Sequence, residues 1–299
     1  MQNRKQTQEI PVVFKCQGKQ LIGMIHQADT TAGVGVLMIV GGPQYRVGSH
    51  RQFVLLARYL AAQDIPVMRF DVRGMGDSEG QPRSFQQIDH DIRAAIDYFL
   101  EHCPTINHVV LWGLCDAASA ALFYAYQDER VKGLVLLNPW VFTEKGAAKA
   151  YLKHYYLPRL FSSDLWHKIY DLKFDYLHSL AALVALFKNI INYAVLEASD
   201  INQVDWMDVR LNLPCCMREC MRRFKYPILL ILSGQDLTAD EFKETVKSDT
   251  EWQRLLEDSR ISRYDFIEAD HTFSSNVWRD QVALWTLTWV NGLYKSGEK

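Results

Sequence analysis

The chain lacks the features that would place it in a membrane, on nucleic acid or around a metal. Residues 180–187 are strongly apolar, but His178 and Lys188 bound them too closely for a membrane span. Residues 2–9 are polar throughout, so there is no basic start followed by an apolar core of the signal-peptide kind, and a cytoplasmic location is expected. A formal charge of −2 provides no general field for nucleic acid. The six cysteines, at 16, 103, 115, 215, 216 and 220, are too scattered for a disulfide framework. Cys215, Cys216 and Cys220 cluster, but no histidine stands at ligand spacing and no second pair completes a zinc set, so neither metal nor other cofactor is expected. Internal repeats and low-complexity linkers are absent as well. With 48% hydrophobic and 23% charged residues, disorder is excluded too.

What is present is an alternation of strand and helix patterns. Residues 10–14 and 21–25, separated by Gly18, predict an opening hairpin. Residues 34–40 form a near-continuous apolar run that ends in Gly41-Gly42-Pro43, as a strand covered on both faces would. Ser49 with Gln52 has capping-box spacing ahead of Phe53, Leu56 and Leu60, and Ser84 with Gln87 repeats it ahead of Ile88, Ile92, Ala95 and Phe99. Strands are expected at 66–70, 109–112, 134–137, 227–232 and 261–267, with a closing helix through Val282, Trp285 and Trp289. This order implies an α/β fold, a mostly parallel sheet of about eight strands flanked by helices, with its site beyond the strands' C-terminal ends.

Residues 143–224 break the alternation. They carry helical patterns rich in aromatics, including Tyr151, Tyr155, Tyr156, Phe161, Trp166 and Tyr170, and are expected to form a helical lid inserted into a core made of residues 1–142 and 225–299. Packing of the lid onto the core accounts for most such side chains; an acyl-binding wall is the functional alternative. Arg218, Arg222, Arg223 and Lys225 make a small basic group, either a solvated face or a contact for a phosphate-bearing carrier.

The chemistry concentrates at Gly113-Leu114-Cys115-Asp116-Ala117, between an apolar strand and an alanine-rich helix pattern. Small residues two before and two after a strand-to-helix turn relieve its crowding, and the residue between them is pushed up as a nucleophile elbow. Asp236 and His271 follow later strands, so nucleophile, acid and histidine occur in the order used by α/β hydrolases. Asp240 and Asp270 are rival acids, and Asp236 could instead cap a helix. In the catalytic reading His271 takes the thiol proton, Asp236 orients the imidazole, and the thiolate attacks a carbonyl. The N–H groups of Asp116 and Gly42 would receive the oxyanion, with Gln44 as alternative to Gly42, since Pro43 has no N–H.

The segments 41–52, 71–80, 113–119 and 234–238 together resemble one family. It is the first of the two α/β-hydrolase-fold proteins associated with exosortase A systems. The resemblance spans nearly the whole chain, and its most specific part combines the cysteine elbow with Gly-Gly-Pro-Gln-Tyr-Arg at 41–46. It implies a setting beside exopolysaccharide synthesis and a protein-sorting machinery, and it points to Gln44 and Tyr45 as substrate-binding residues. The expected function is hydrolysis of a carboxylic ester or thioester through an acyl-cysteine. Acyl transfer by the same cysteine is the alternative, and a non-catalytic hydrolase-like binding protein the third.

A helix N-terminus and a neighbouring imidazolium both favour the thiolate. Limited iodoacetamide treatment followed by peptide mapping is therefore expected to label Cys115 first among the six cysteines; uniform labelling would remove the elbow from consideration.

Overall fold

A fully apolar strand is stable only where both of its faces are covered. In the computed structural model, which describes residues 8–28, 33–42, 44–141 and 209–295, the elbow strand β5 (Ile106–Leu114) is buried over its last six residues. Its alternate side chains go to opposite sides. Val109 and Leu111 join one apolar cluster, whereas Val110, Trp112 and Leu114 join a second.

The other strands are β1 (Glu9–Cys16), β2 (Lys19–His26), β3 (Gly33–Met38), β4 (Val67–Phe70), β6 (Val131–Leu137), β7 (Ile228–Gln235) and β8 (Ile261–Asp270). They form one eight-stranded sheet in the order β1-β2-β4-β3-β5-β6-β7-β8. The hairpin β1–β2 and the β2–β4 pair are antiparallel, and every other pair is parallel. This is the α/β-hydrolase architecture that the alternating sequence implies.

Helices α1 (Gln52–Ala61) and α7 (Asn276–Lys295) cover one face through Phe53, Leu56, Val282 and Val290. The opposite face is covered by α2 (Asp89–His102), α3 (Asp116–Ala125) and α4 (Val209–Arg223), with α5 (Leu237–Ser248) and α6 (Thr250–Leu256) beside them. Of the insertion expected at 143–224, residues 143–208 lie outside the described residues. Its final part is α4, whose Met217, Cys220 and Met221 share the cluster of α3.

Neither expected capping box forms. Ser49 opens a 3-10 turn, α1 begins only at Gln52 after a left-handed Arg51, and no side chain caps it. Ser84 likewise precedes a 3-10 turn without a side-chain cap, and α2 starts at Asp89. A 3-10 turn already ties the Gln87 amide to the Ser84 carbonyl at 2.9 Å, so the serine hydroxyl loses the donor that a capping box would supply. Two helices are capped by aspartate, Asp236 accepting from the amides of Thr238 and Ala239 and Asp249 from those of Glu251 and Trp252, while Ser275 Oγ accepts from the Trp278 amide at 3.2 Å at the start of α7.

The turn from β5 into α3 requires a glycine at 113, where a β-carbon would lie 2.6 Å from the backbone of Ala117. Gly113→Ala is expected to lower stability by roughly 1–3 kcal/mol in urea denaturation, as overpacking against backbone does. Gly292→Ala is the contrast: it sits in α7 with open space around it, and should stabilise by up to about 1 kcal/mol.

Candidate active site

The elbow backbone is unusual for a residue with a side chain. Cys115 has φ 62° and ψ −125°, a region that costs roughly 1–3 kcal/mol for a non-glycine residue. Neighbouring elements hold it there. The Cys115 amide donates to the Leu137 carbonyl at 2.9 Å, and its carbonyl accepts from Ala118 at 3.0 Å and Trp140 at 3.2 Å. Ser119, the hydroxyl nearest along the chain, is fully buried and donates to the Trp140 carbonyl at 2.7 Å. The half-buried side chain at the elbow is therefore the thiol of Cys115.

His271 follows β8 and Asp236 follows β7, adjacent parallel strands whose C-terminal ends lie side by side. His271 Nδ1 stands 2.9 Å from Asp236 Oδ2, and the Cys115 side chain is the second group that favours the protonated imidazole. Asp236 is 7% exposed and remains the N-cap of α5, so it is both the helix cap and the partner of the histidine. The rival acids point to other work. Asp240 lies 3.6 Å from Lys243, while Asp270 accepts from the amides of Thr272 and Ser274 in the turn after β8.

The hydrogen bond to Asp236, then that to Cys115, pushes the imidazole up to about 10, against the opposing effect of its burial. At neutral pH His271 therefore carries the proton in the free protein. The arrangement can hold a proton on nitrogen between sulfur and carboxylate, and return it to a group leaving the elbow.

The loop after β3 approaches the elbow closely. A β-carbon at Gly41 would lie 2.1 Å from Asp116 Oδ1. The Gly42 amide, expected as an oxyanion donor, is already donated to Asp116 Oδ2 at 2.7 Å. Burial raises the Asp116 carboxyl above its ordinary value, opposed by the amides of Gly42, Ala117 and its own residue and by the charge of His271. Gln44 and Tyr45 line a different recess, of about 490 Å³, with Gly48, Ser49, Gly76 and Asp77; Cys115, Asp236 and His271 do not border it. The Gln44 side-chain oxygen there is buried without a hydrogen-bond partner among the described residues.

Several residues that shape the site do not stand out in the sequence. Asn138, fully buried at the end of β6, accepts from the Ser233 amide at 2.8 Å and donates to the His271 carbonyl at 3.0 Å. It staples the loop that carries the histidine to the end of β7, and the one sequence signal is a polar residue closing an apolar strand. The buried Asp71 accepts from the Arg46 amide at 2.6 Å and pairs with its guanidinium, which fixes the loop after β3 to the loop after β4. Three of the four basic side chains are paired: Arg218 with Asp249 and Glu251, and Arg222 and Arg223 with one carboxylate, Glu219. Cys215, Cys216 and Cys220 lie on α4 outside any disulfide, and no metal-binding group occurs among the described residues. No helix among them is long and apolar enough to cross a membrane.

The chain matches the model of the family described as serine aminopeptidase, S33, over residues 35–249, a stretch that contains Cys115 and Asp236 and stops before His271. It belongs to that family of α/β-hydrolase enzymes. This S33-family chain is also similar to polyketide transferase grgF of Penicillium sp, at 32% identity over 92 residues. Similarity to polyketide transferase claH of Penicillium crustosum is 27% over 128 residues. The matches span only 31% and 42% of those relatives, and 29% and 42% of this chain. Among solved structures, the esterase Pf2001 of Pyrococcus furiosus shares the fold with a TM-score of 0.62 at 13% identity, covering 95% of this chain and 91% of that one.

Replacing Asp236 by Asn retains an acceptor for the helix cap and removes the charge beside His271. Ring-proton NMR of Asp236→Asn is expected to show the His271 titration falling from about 10 toward the ordinary imidazole value of about 6.5, with α5 still formed. An unmoved titration would show that another group holds the histidine's proton.

Proposed function

We propose that this S33-family chain is an acyl-group enzyme that opens a carboxylic ester or thioester through an acyl-cysteine on Cys115. The observation that carries the reading is the imidazole of His271 held 2.9 Å from Asp236 beside Cys115 at the strained elbow, where both side chains favour its protonated form. The Cys115 sulfur attacks the acyl carbonyl, a bond to the leaving group breaks, and His271 donates its proton to the departing alkoxide or thiolate. Water then attacks the acyl-cysteine, gives a proton back to His271, and releases the carboxylic acid. Asp236 fixes the imidazole's orientation and compensates its charge. The family's description names serine, and the sulfur at the elbow makes thioesters and acyl transfer natural chemistry for this member.

Transfer to an alcohol instead of water is the second reading. It is favoured by the two relatives named polyketide transferases, and it differs only in which nucleophile reaches the acyl-cysteine. The resemblance to exosortase A system-associated hydrolases supports a cytoplasmic setting beside exopolysaccharide synthesis and protein sorting for either reading.

Incubation with a panel of acyl thioesters, read by intact-mass spectrometry, is expected to give an acyl adduct on Cys115 that Cys115→Ala abolishes. Release in buffer alone assigns a hydrolase, and release only after an alcohol is added assigns a transferase. If no acyl donor leaves an adduct, the enzymatic reading fails and a binding role takes its place.

A further inference from the structure

Asp116 stands directly after the elbow cysteine, and its side chain turns back toward the loop after β3. Oδ2 accepts the Gly42 amide at 2.7 Å, Oδ1 accepts the Ala117 amide at 3.0 Å, and the residue's own amide also favours the charged carboxylate. Gly41 is shaped to this contact, because a β-carbon there would overlap Oδ1 at 2.1 Å. In the acyl-cysteine reading, on which this inference rests, the amides of Gly42 and Asp116 are the donors for the developing oxyanion. A carbonyl oxygen on its way to becoming an oxyanion and the Asp116 carboxylate compete for the same N–H groups.

We propose that the Asp116 carboxylate is the resident occupant of the oxyanion site, which an acyl substrate must displace, and that this makes Asp116 the residue that selects the acyl group. Its neighbourhood gives the direction of that selection. A cavity of about 270 Å³ opens beside it, with walls from Val40, Val72, Met75, Phe85 and Ile88 as well as Gly42 and Asp116. Arg83 also borders this cavity, but it is exposed, so its charge is screened by solvent. An apolar acyl chain suits these walls. An acyl chain ending in a second carboxylate would meet the displaced Asp116 anion in a partly buried site, where like charges repel more than in open solvent. The substrate class is thus a neutral, apolar acyl ester or thioester.

The test compares butanoyl and succinyl thioesters on the unaltered protein and on Asp116→Asn, which keeps the side chain's size and removes its charge. With the charge-assisted bond to Gly42 gone, KM for the butanoyl donor is expected to fall about tenfold with kcat no lower. The preference for butanoyl over succinyl should shrink by about the same factor. Unchanged KM and preference, or a lower kcat at unchanged KM, would overturn the proposal. A second arm needs no turnover: butanoate should shield Cys115 of Asp116→Asn from iodoacetamide at concentrations that leave the unaltered protein unshielded, because a neutral carboxamide holds the Gly42 amide more weakly than the carboxylate does. Equal shielding in both overturns the proposal. Absence of any acyl adduct would instead sink the enzymatic reading while leaving this arm readable.

Discussion

The backbone at Cys115 is the constraint around which the other features of the site are arranged. A side-chain-bearing residue at φ 62° and ψ −125° stays there only when its surroundings offset a strain of roughly 1–3 kcal/mol. Here β6 supplies an acceptor for its amide, while α3 and the segment after β6 supply donors for its carbonyl. Gly113 and Ala117 leave room for the reversal. Because β5 lies in the middle of the sheet, with β3 and β6 hydrogen-bonded on either side, the strained residue is carried by the best-buried part of the molecule.

The second dependence runs through Asp236. Its two oxygens serve the first turn of α5 and the imidazole together, so an intact helix start and an oriented histidine come from one side chain. Asn138 acts from the other side, holding the His271 carbonyl against the end of β7. The elevated imidazole has a consequence for stability. A histidine raised from its ordinary 6.5 to about 10 contributes fully below the unfolded value and loses that contribution as the pH rises through about 10. The site therefore favours the fold in neutral solution and weakens it in strong base.

Much of this was legible along the chain. Buried strands announce themselves by unbroken apolar runs, and the order of Cys115, Asp236 and His271 follows from strands that end on one sheet edge. The serines at 49 and 84 misled because capping-box spacing recurs wherever a 3-10 turn leads into a helix, and the backbone there used the donors first. The pairing of Gly42 with Asp116 was out of reach, since it depends on one rotamer meeting a loop 74 residues away. Asn138 was hidden for a related reason: its importance lies in two backbone partners, one on β7 and one in the turn after β8, neither of which shows in local spacing.

The strand that presents the histidine, β8, is the last to join the sheet and pairs with β7 alone. Among the described residues it is the edge strand, and Ile267 on it is 73% exposed. In a chain made from its N-terminus, the segment around Cys115 can already fold against β3 and β6 while β8 is still unmade. The thiol is then geometrically complete but lacks the base that would set it to work. Docking of β8 on β7 becomes the event that arms the molecule, because it brings His271 to the elbow.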